Sequence, residues 1–133
     1  MIFVDTSAFL AVENRLDTHH SQALSLRDAW LKKGQTLVTS DYILDESYTI
    51  IRLRAGHPVA VQFGEAIRHS QLLRIIYVTP EIKEEAWRLF KTYANHDFSF
   101  TDCTSFAVMR QLDLTHAFTA DHHFATMGYI LLP

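Results

Sequence analysis

Asp5 and Asp121 each follow a short run suited to a β-strand, Ile2-Phe3-Val4 and Phe118-Thr119-Ala120. Glu46 and Asp102 have apolar residues at helical spacing. Ile43, Ile50 and Leu53 lie three residues before, and four and seven after, Glu46, while Phe106 and Met109 lie four and seven after Asp102. A carboxylate in an apolar stripe is costly unless something pairs with it. Each acid also has an ordinary structural explanation. Asp5 would cap a helix starting at Thr6, and Asp121 would be a turn residue. Glu46 would pair with an arginine at the edge of the core, and Asp102 would favour a helix dipole. Asp45 aligns with Asp41 instead and reads as a solvated acid. Taken together, the four acids are placed where one crevice could gather them. Like charges that close raise one another's pKa values, and a divalent cation relieves the repulsion. Ligands that are all oxygen favour Mg²⁺ or Mn²⁺ over softer ions. Such a centre can activate water and stabilise charge developing on a phosphate.

The elements that would bring the acids together alternate along the chain. Ile2 to Val4, Thr36 to Val38, Ile75 to Val78 and Ala117 to Thr119 read as strands, with a short fifth over Tyr129 to Leu132. A helix is expected from Thr18 to Lys33, stopped by Gly34. Ser40 caps another running to about Arg54 and ended by Gly56, and Pro58 opens the next. Thr79-Pro80-Glu81 starts a fourth, and Thr101 is the expected cap of a fifth from Asp102 to about Gln111. Strands alternating with helices imply a parallel sheet covered on both faces, with ligands outside the carboxyl ends of the strands. Asp5 and Asp121 then share one edge.

The 133 residues, 48% hydrophobic and 20% charged, fit one globular domain, 1–133, with a single core. No apolar run is long enough to span a bilayer. The opening Met1-Ile2-Phe3-Val4-Asp5 lacks a basic region, so a signal peptide is not expected. Cys103 is the one cysteine, which excludes an internal disulfide and fits a reducing cytoplasm. A net charge of −3 argues against diffuse attraction to nucleic acid. Local arginines, eight against four lysines, would have to make any phosphate contacts.

Four segments carry a resemblance. Val4-Asp5-Thr6-Ser7-Ala8-Phe9 resembles the opening motif of PIN-domain nucleases. Tyr42-Ile43-Leu44-Asp45-Glu46-Ser47 resembles the second motif, whose glutamate is the functional acid. Phe98-Ser99-Phe100-Thr101-Asp102-Cys103 resembles the third, and Phe118-Thr119-Ala120-Asp121-His122-His123-Phe124 the fourth. Order, spacing and length agree over essentially the whole chain. The resemblance implies a three-layer α/β/α fold with a four- to five-stranded parallel sheet. It also implies Mg²⁺- or Mn²⁺-dependent cleavage of RNA by a metal-activated water. Asp5, Glu46, Asp102 and Asp121 would be the catalytic and metal-holding acids, with Thr6 or Ser7 and Thr119 orienting a carboxylate or water. Many small members are VapC-like toxins of type II toxin–antitoxin pairs, so a small antitoxin is an expected partner. Cys103 stands where small residues are usual.

Other readings fit less well. The eight histidines include the adjacent pairs His19-His20 and His122-His123, which do not face one another on a helix and offer no His-x-x-x-His zinc pattern. They read as surface residues, with His122 or His123 able to line the mouth of the site. A haloacid-dehalogenase-like enzyme would need an acid where Ser7 stands. A receiver domain would need a lysine at a strand end, whereas Lys32, Lys33, Lys83 and Lys91 fall in predicted helices. The remaining alternative is a catalytically silent PIN-like scaffold. Arg52 and Arg54, on the helix of Glu46, are candidate contacts for substrate phosphate or an antitoxin carboxylate; solvated helix-end arginines would look the same. Tyr48, Val59, Val61 and Phe63 could form a homodimer face.

Overall fold

The computed structural model describes residues 1–132. Five parallel strands form its sheet: β1 (Ile2–Val4), β2 (Leu37–Ser40), β3 (Leu73–Ile76), β4 (His116–Phe118) and β5 (Ile130–Leu132), in the order β3-β2-β1-β4-β5. Seven helices accompany them: α1 (Thr6–Glu13), α2 (His20–Lys33), α3 (Asp41–Ala55), α4 (His57–His69), α5 (Pro80–Thr92), α6 (Phe100–Gln111) and α7 (His123–Thr126). This is the three-layer α/β/α architecture expected from the alternation of elements.

Both faces of the sheet are covered, which is why its central strand, β1, is apolar at every position. Along β1 the side chains alternate. Phe3 enters the cluster formed with α5 and α6, while Ile2 and Val4 enter the one formed with α1 and α2. Ala117 and Phe118 divide in the same way, and Trp30 of α2 meets Phe118 edge-on at 4.9 Å. A third cluster joins α1, α3 and α4 through Leu10, Leu44, Ile51 and Phe63.

Strand order reverses at β1. The chain passes outward through β2 to β3, then returns to β4 on the other side. The crevice between the carboxyl ends of β1 and β4 is therefore the topological switch point, where parallel sheets bind ligands. Asp5 directly follows β1, and Asp121 lies three residues beyond β4.

Several boundaries move by one or two residues from expectation, and two of these shifts have an identifiable cause. The third strand runs from Leu73 to Ile76 rather than from Ile75 to Val78, because pairing with β2 begins at Leu37 and Leu73. Arg74, exposed on this edge strand, interrupts the apolar pattern and hides its start. Val78 has already left the sheet, and its N–H donates to the Asp41 carboxylate (2.9 Å). Helix α6 begins at Phe100 and is capped by Ser99, not Thr101. Gly34 ends α2 in the left-handed conformation (φ 67°) and Ser40 caps α3, both as expected.

Candidate active site

Asp5 is held by the junction of β1 and β4. Its N–H donates to the Phe118 carbonyl (3.1 Å), which continues the strand pairing. The residue stands at the N-cap of α1, yet its side chain makes no capping bond. Asp5 Oδ2 accepts instead from Thr119 Oγ1 (2.8 Å) and Ser7 Oγ (3.2 Å). Thr119 also accepts from the Asp121 N–H (3.0 Å), so one hydroxyl fixes two acids. Ser7 Oγ accepts from the Ala120 N–H (2.9 Å) and lies 3.0 Å from Thr119 Oγ1. Thr6 has another role, since its hydroxyl accepts from Ser47 (3.3 Å) and joins α1 to α3.

Only 5% of Asp5 is exposed. Burial lifts its carboxyl from 3.8 to about 6; the Thr119 hydroxyl and a backbone N–H oppose the rise, and the charges of Asp102 and Asp121 add to it.

Asp102 reaches the same place from α6. Its N–H donates to Ser99 Oγ (2.9 Å), and the Ser99 N–H donates back to Asp102 Oδ2 (3.0 Å), which makes a capping box. The carboxylate thus does the helix-terminal work anticipated for it and also faces Asp121. Burial raises its pKa most; bonding from the Ser99 backbone lowers it and the Asp121 charge raises it.

Asp121 folds its own turn. Its Oδ1 accepts from the His123 N–H (2.9 Å), which opens α7. That turn sends His122 into solvent and His123 inward. His123 Nδ1 is buried without a hydrogen-bond partner, 3.3 Å from Asp121 Oδ1 and 3.5 Å from Asp102 Oδ2. Phe98 meets its ring edge-on at 5.1 Å. Asp102, Asp121 and His123 offer ligand atoms that all lie within 4.8 Å of one another. His122 is a surface histidine, and His123 takes the other course left open for this pair, lining the site. Helical periodicity gave no sign of this, because the turn is made by an aspartate side chain; the Asp121-x-His123 spacing before buried Phe124 was the available signal.

Glu46 stands apart from this group. It is exposed, on an open cleft of about 520 Å³ lined also by Tyr42, Asp45, Thr49, Ile50, Leu53 and Thr101. Its supposed apolar stripe is buried at Ile43 but runs out to Leu53, which is 79% exposed, so desolvation does not explain this acid. The link to the buried group is Thr101, next to Asp102. Asp45 is exposed as expected. Arg52 and Arg54 are also exposed, and Arg52 borders a different cleft with Tyr48, His57 and Arg68. Among the described residues, no lysine or arginine forms an ion pair with Asp5, Glu46, Asp102 or Asp121. The acids are therefore not spent on structural ion pairs.

Fold and site together define a three-layer α/β/α protein with an acidic centre at the switch point of a parallel sheet, able to hold a divalent cation. The chain belongs to the PIN-domain family, whose model matches residues 2–128. It is 38% identical to the 23S rRNA-specific endonuclease VapC20 of Mycobacterium tuberculosis over 130 residues, 98% of this chain and 96% of the relative. The crystal structure of VapC20, described as a sarcin–ricin loop cleaving toxin, superposes with a TM-score of 0.89 at 37% identity, covering 98% of this chain and 97% of that one. FitAcB from Neisseria gonorrhoeae shares the fold at 16% identity, with a TM-score of 0.70 and coverage of 100% and 97%.

Proposed function

We propose that this chain is a divalent-metal-dependent endoribonuclease and the toxin of a toxin–antitoxin pair. The observation that carries the reading is the convergence of Asp5, Asp102 and Asp121 on one crevice, with burial lifting two of the carboxyls and, among the described residues, no lysine or arginine pairing with any of the three. Such an arrangement is unfavourable for a protein alone and suits a bound cation.

The donor set fits Mg²⁺ or Mn²⁺. Asp102 and Asp121 would hold the ion, with Asp5 close behind them and Glu46 approaching from the open cleft. When bound, the cation would supply the Lewis acidity that makes water nucleophilic near neutral pH and shields charge on the phosphate. The protein's own contribution is positioning. Thr119 and Ser7 hold Asp5 in one orientation, Ser99 holds Asp102, and the turn at His123 holds Asp121. Groups fixed in this way need little reorganisation during the reaction.

The likeness to VapC20 over nearly the full chain supports 23S rRNA, and its sarcin–ricin loop in particular, as the first substrate to test. Arg52 and Arg54 are the proposed phosphate or partner contacts. The proposed antitoxin would keep the acidic crevice from RNA. Exposed Leu53 and Val61 on α3 and α4 support a homodimer, although Phe63, expected on that face, is buried. A monomeric mass by light scattering would remove the dimer. Among the described residues no helix is long and apolar enough to cross a membrane. With the single free cysteine, Cys103, a cytoplasmic location is proposed.

The test is cleavage of 23S rRNA and of a sarcin–ricin-loop oligonucleotide with Mg²⁺ or Mn²⁺. Chelation should stop the reaction, and Asp102→Asn should slow it at least about a hundredfold, the scale on which charge-stabilising groups act in catalysis. Intact RNA at every metal tried, with a folded protein, would leave a PIN-like scaffold.

A further inference from the structure

We propose that His123 donates a nitrogen ligand to the cation held by Asp102 and Asp121, and that this mixed oxygen–nitrogen site selects Mn²⁺ over Mg²⁺. The inference rests on the metal-dependent reading above and goes beyond it by naming a ligand that the four acids do not include.

The first argument is placement. His123 Nδ1 is buried and makes no hydrogen bond, yet it sits 3.3 Å from one carboxylate oxygen and 3.5 Å from another. An ion about 2.1 Å from each ligand atom separates neighbouring ligands by about 3 to 3.5 Å. The nitrogen thus stands at neighbouring-ligand distance from each oxygen, and ligand atoms of all three residues lie within 4.8 Å of one another. A buried nitrogen left without any partner is unfavourable, and a shared cation supplies one.

The second argument is preorganisation. The His123 N–H is committed to Asp121 Oδ1 (2.9 Å), which fixes the backbone under the ring. Phe98 closes against one side of the imidazole at 5.1 Å and is itself wedged against Phe106 at 5.1 Å. The nitrogen is therefore held beside the acids before any ion arrives.

The third argument is ligand chemistry. Mg²⁺ sheds water reluctantly and takes oxygen ligands; Mn²⁺ also favours oxygen but, as a transition ion, takes an imidazole nitrogen beside its oxygens more readily than Mg²⁺ does. His123 would gain little from Mg²⁺ and more from Mn²⁺. A competing role, in which His123 is an imidazolium that stands in for the metal, makes the opposite forecast. Removing such a cation would tighten binding of both metals.

The experiment loads the full chain with Mn²⁺ and reads nitrogen coupling by electron spin-echo envelope modulation. Affinities for Mn²⁺ and Mg²⁺ are measured in parallel by calorimetry. Wild type and His122→Ala should show modulation from one imidazole nitrogen. His123→Ala and His123→Asn should lose it and bind Mn²⁺ at least about tenfold more weakly, with a much smaller change for Mg²⁺. Metal-free melting curves establish that the variants fold, and His123→Asn preserves a polar side chain in the turn if the alanine variant does not. Mn²⁺ bound without nitrogen modulation, or bound as tightly or more tightly by the His123 variants, overturns the inference and leaves the nuclease reading standing. A folded wild-type chain that binds neither ion overturns both.

Discussion

Replacing Asp5 by asparagine should stabilise the metal-free protein while abolishing its activity, and the gain should appear only above the acid range. Asparagine imitates the protonated acid: it is neutral, close in shape, and still offers an oxygen to Thr119 and Ser7. Below pH 3.8, the ordinary value for this side chain, Asp5 is protonated in both the folded and unfolded chain, and the substitution changes little. Between pH 3.8 and about 6 the unfolded chain has released the proton and the folded chain still holds it. Raising the pH through this window therefore drains stability from the wild type but not from Asp5→Asn. Above about pH 6 the difference is constant. A rise of about 2 units, at about 1.4 kcal/mol each, makes it about 3 kcal/mol. For a chain of 133 residues the unfolding entropy is about 0.28 kcal/mol per degree, so the variant should melt about 10 °C higher at pH 7.5. The assay is thermal melting of both proteins in chelator from pH 3.5 to 8. Adding Mn²⁺ at about a hundred times its Kd should return about 2.7 kcal/mol to the wild type and much less to the variant, nearly closing the gap. A difference that does not vary with pH, or an asparagine variant that melts lower than wild type at pH 7.5 in chelator, would show that Asp5 is not desolvated in the way its burial implies.

Thr119→Val removes the donor to Asp5 and leaves the Asp121 N–H without its acceptor. Stability should fall by about 1–3 kcal/mol in denaturant titrations. Loss of that hydroxyl should push the Asp5 pKa further up, so the acidic limb of the cleavage pH profile should move to higher pH; an unmoved limb would detach Thr119 from Asp5 ionisation. Glu46 is exposed and makes no ion pair among the described residues, so Glu46→Gln should shift stability by less than about 0.5 kcal/mol. Cleavage should nevertheless fall more than about tenfold, and full activity in this variant would remove Glu46 from the acidic set.

How far these acids could be read from sequence depends on what fixes each one. Asp5 and Asp121 were legible because a parallel sheet leaves no choice: a residue just past the carboxyl end of a strand lies at that edge, and β1 and β4 proved to be neighbours. Asp102 was legible from the apolar Phe106 and Met109 on its own side of α6, although the helix is buried at every position from Cys103 to Met109. Its capping partner was not, since Thr101 and Ser99 both carry hydroxyls ahead of the helix and only backbone geometry decides between them. Periodicity failed for Glu46 in a different way. It reports which side of a helix a residue occupies and not how deep that side is buried; the stripe on α3 is covered at Ile43 and bare at Leu53. The start of β3 was hidden by Arg74, whose exposure at the sheet edge breaks the apolar run without breaking the strand. Which of His122 and His123 lines the site was left open, because the choice is set by a single hydrogen bond, from the His123 N–H to the Asp121 carboxylate, which no repeating pattern records. Elements set by burial leave a periodic trace in composition, whereas groups set by side-chain-to-backbone bonds in turns leave none. A centre assembled at a switch point, where strands end and turns begin, combines both kinds, so Asp5, Asp102 and Asp121 could be found by rule, whereas which of two adjacent histidines faces them is decided only by geometry.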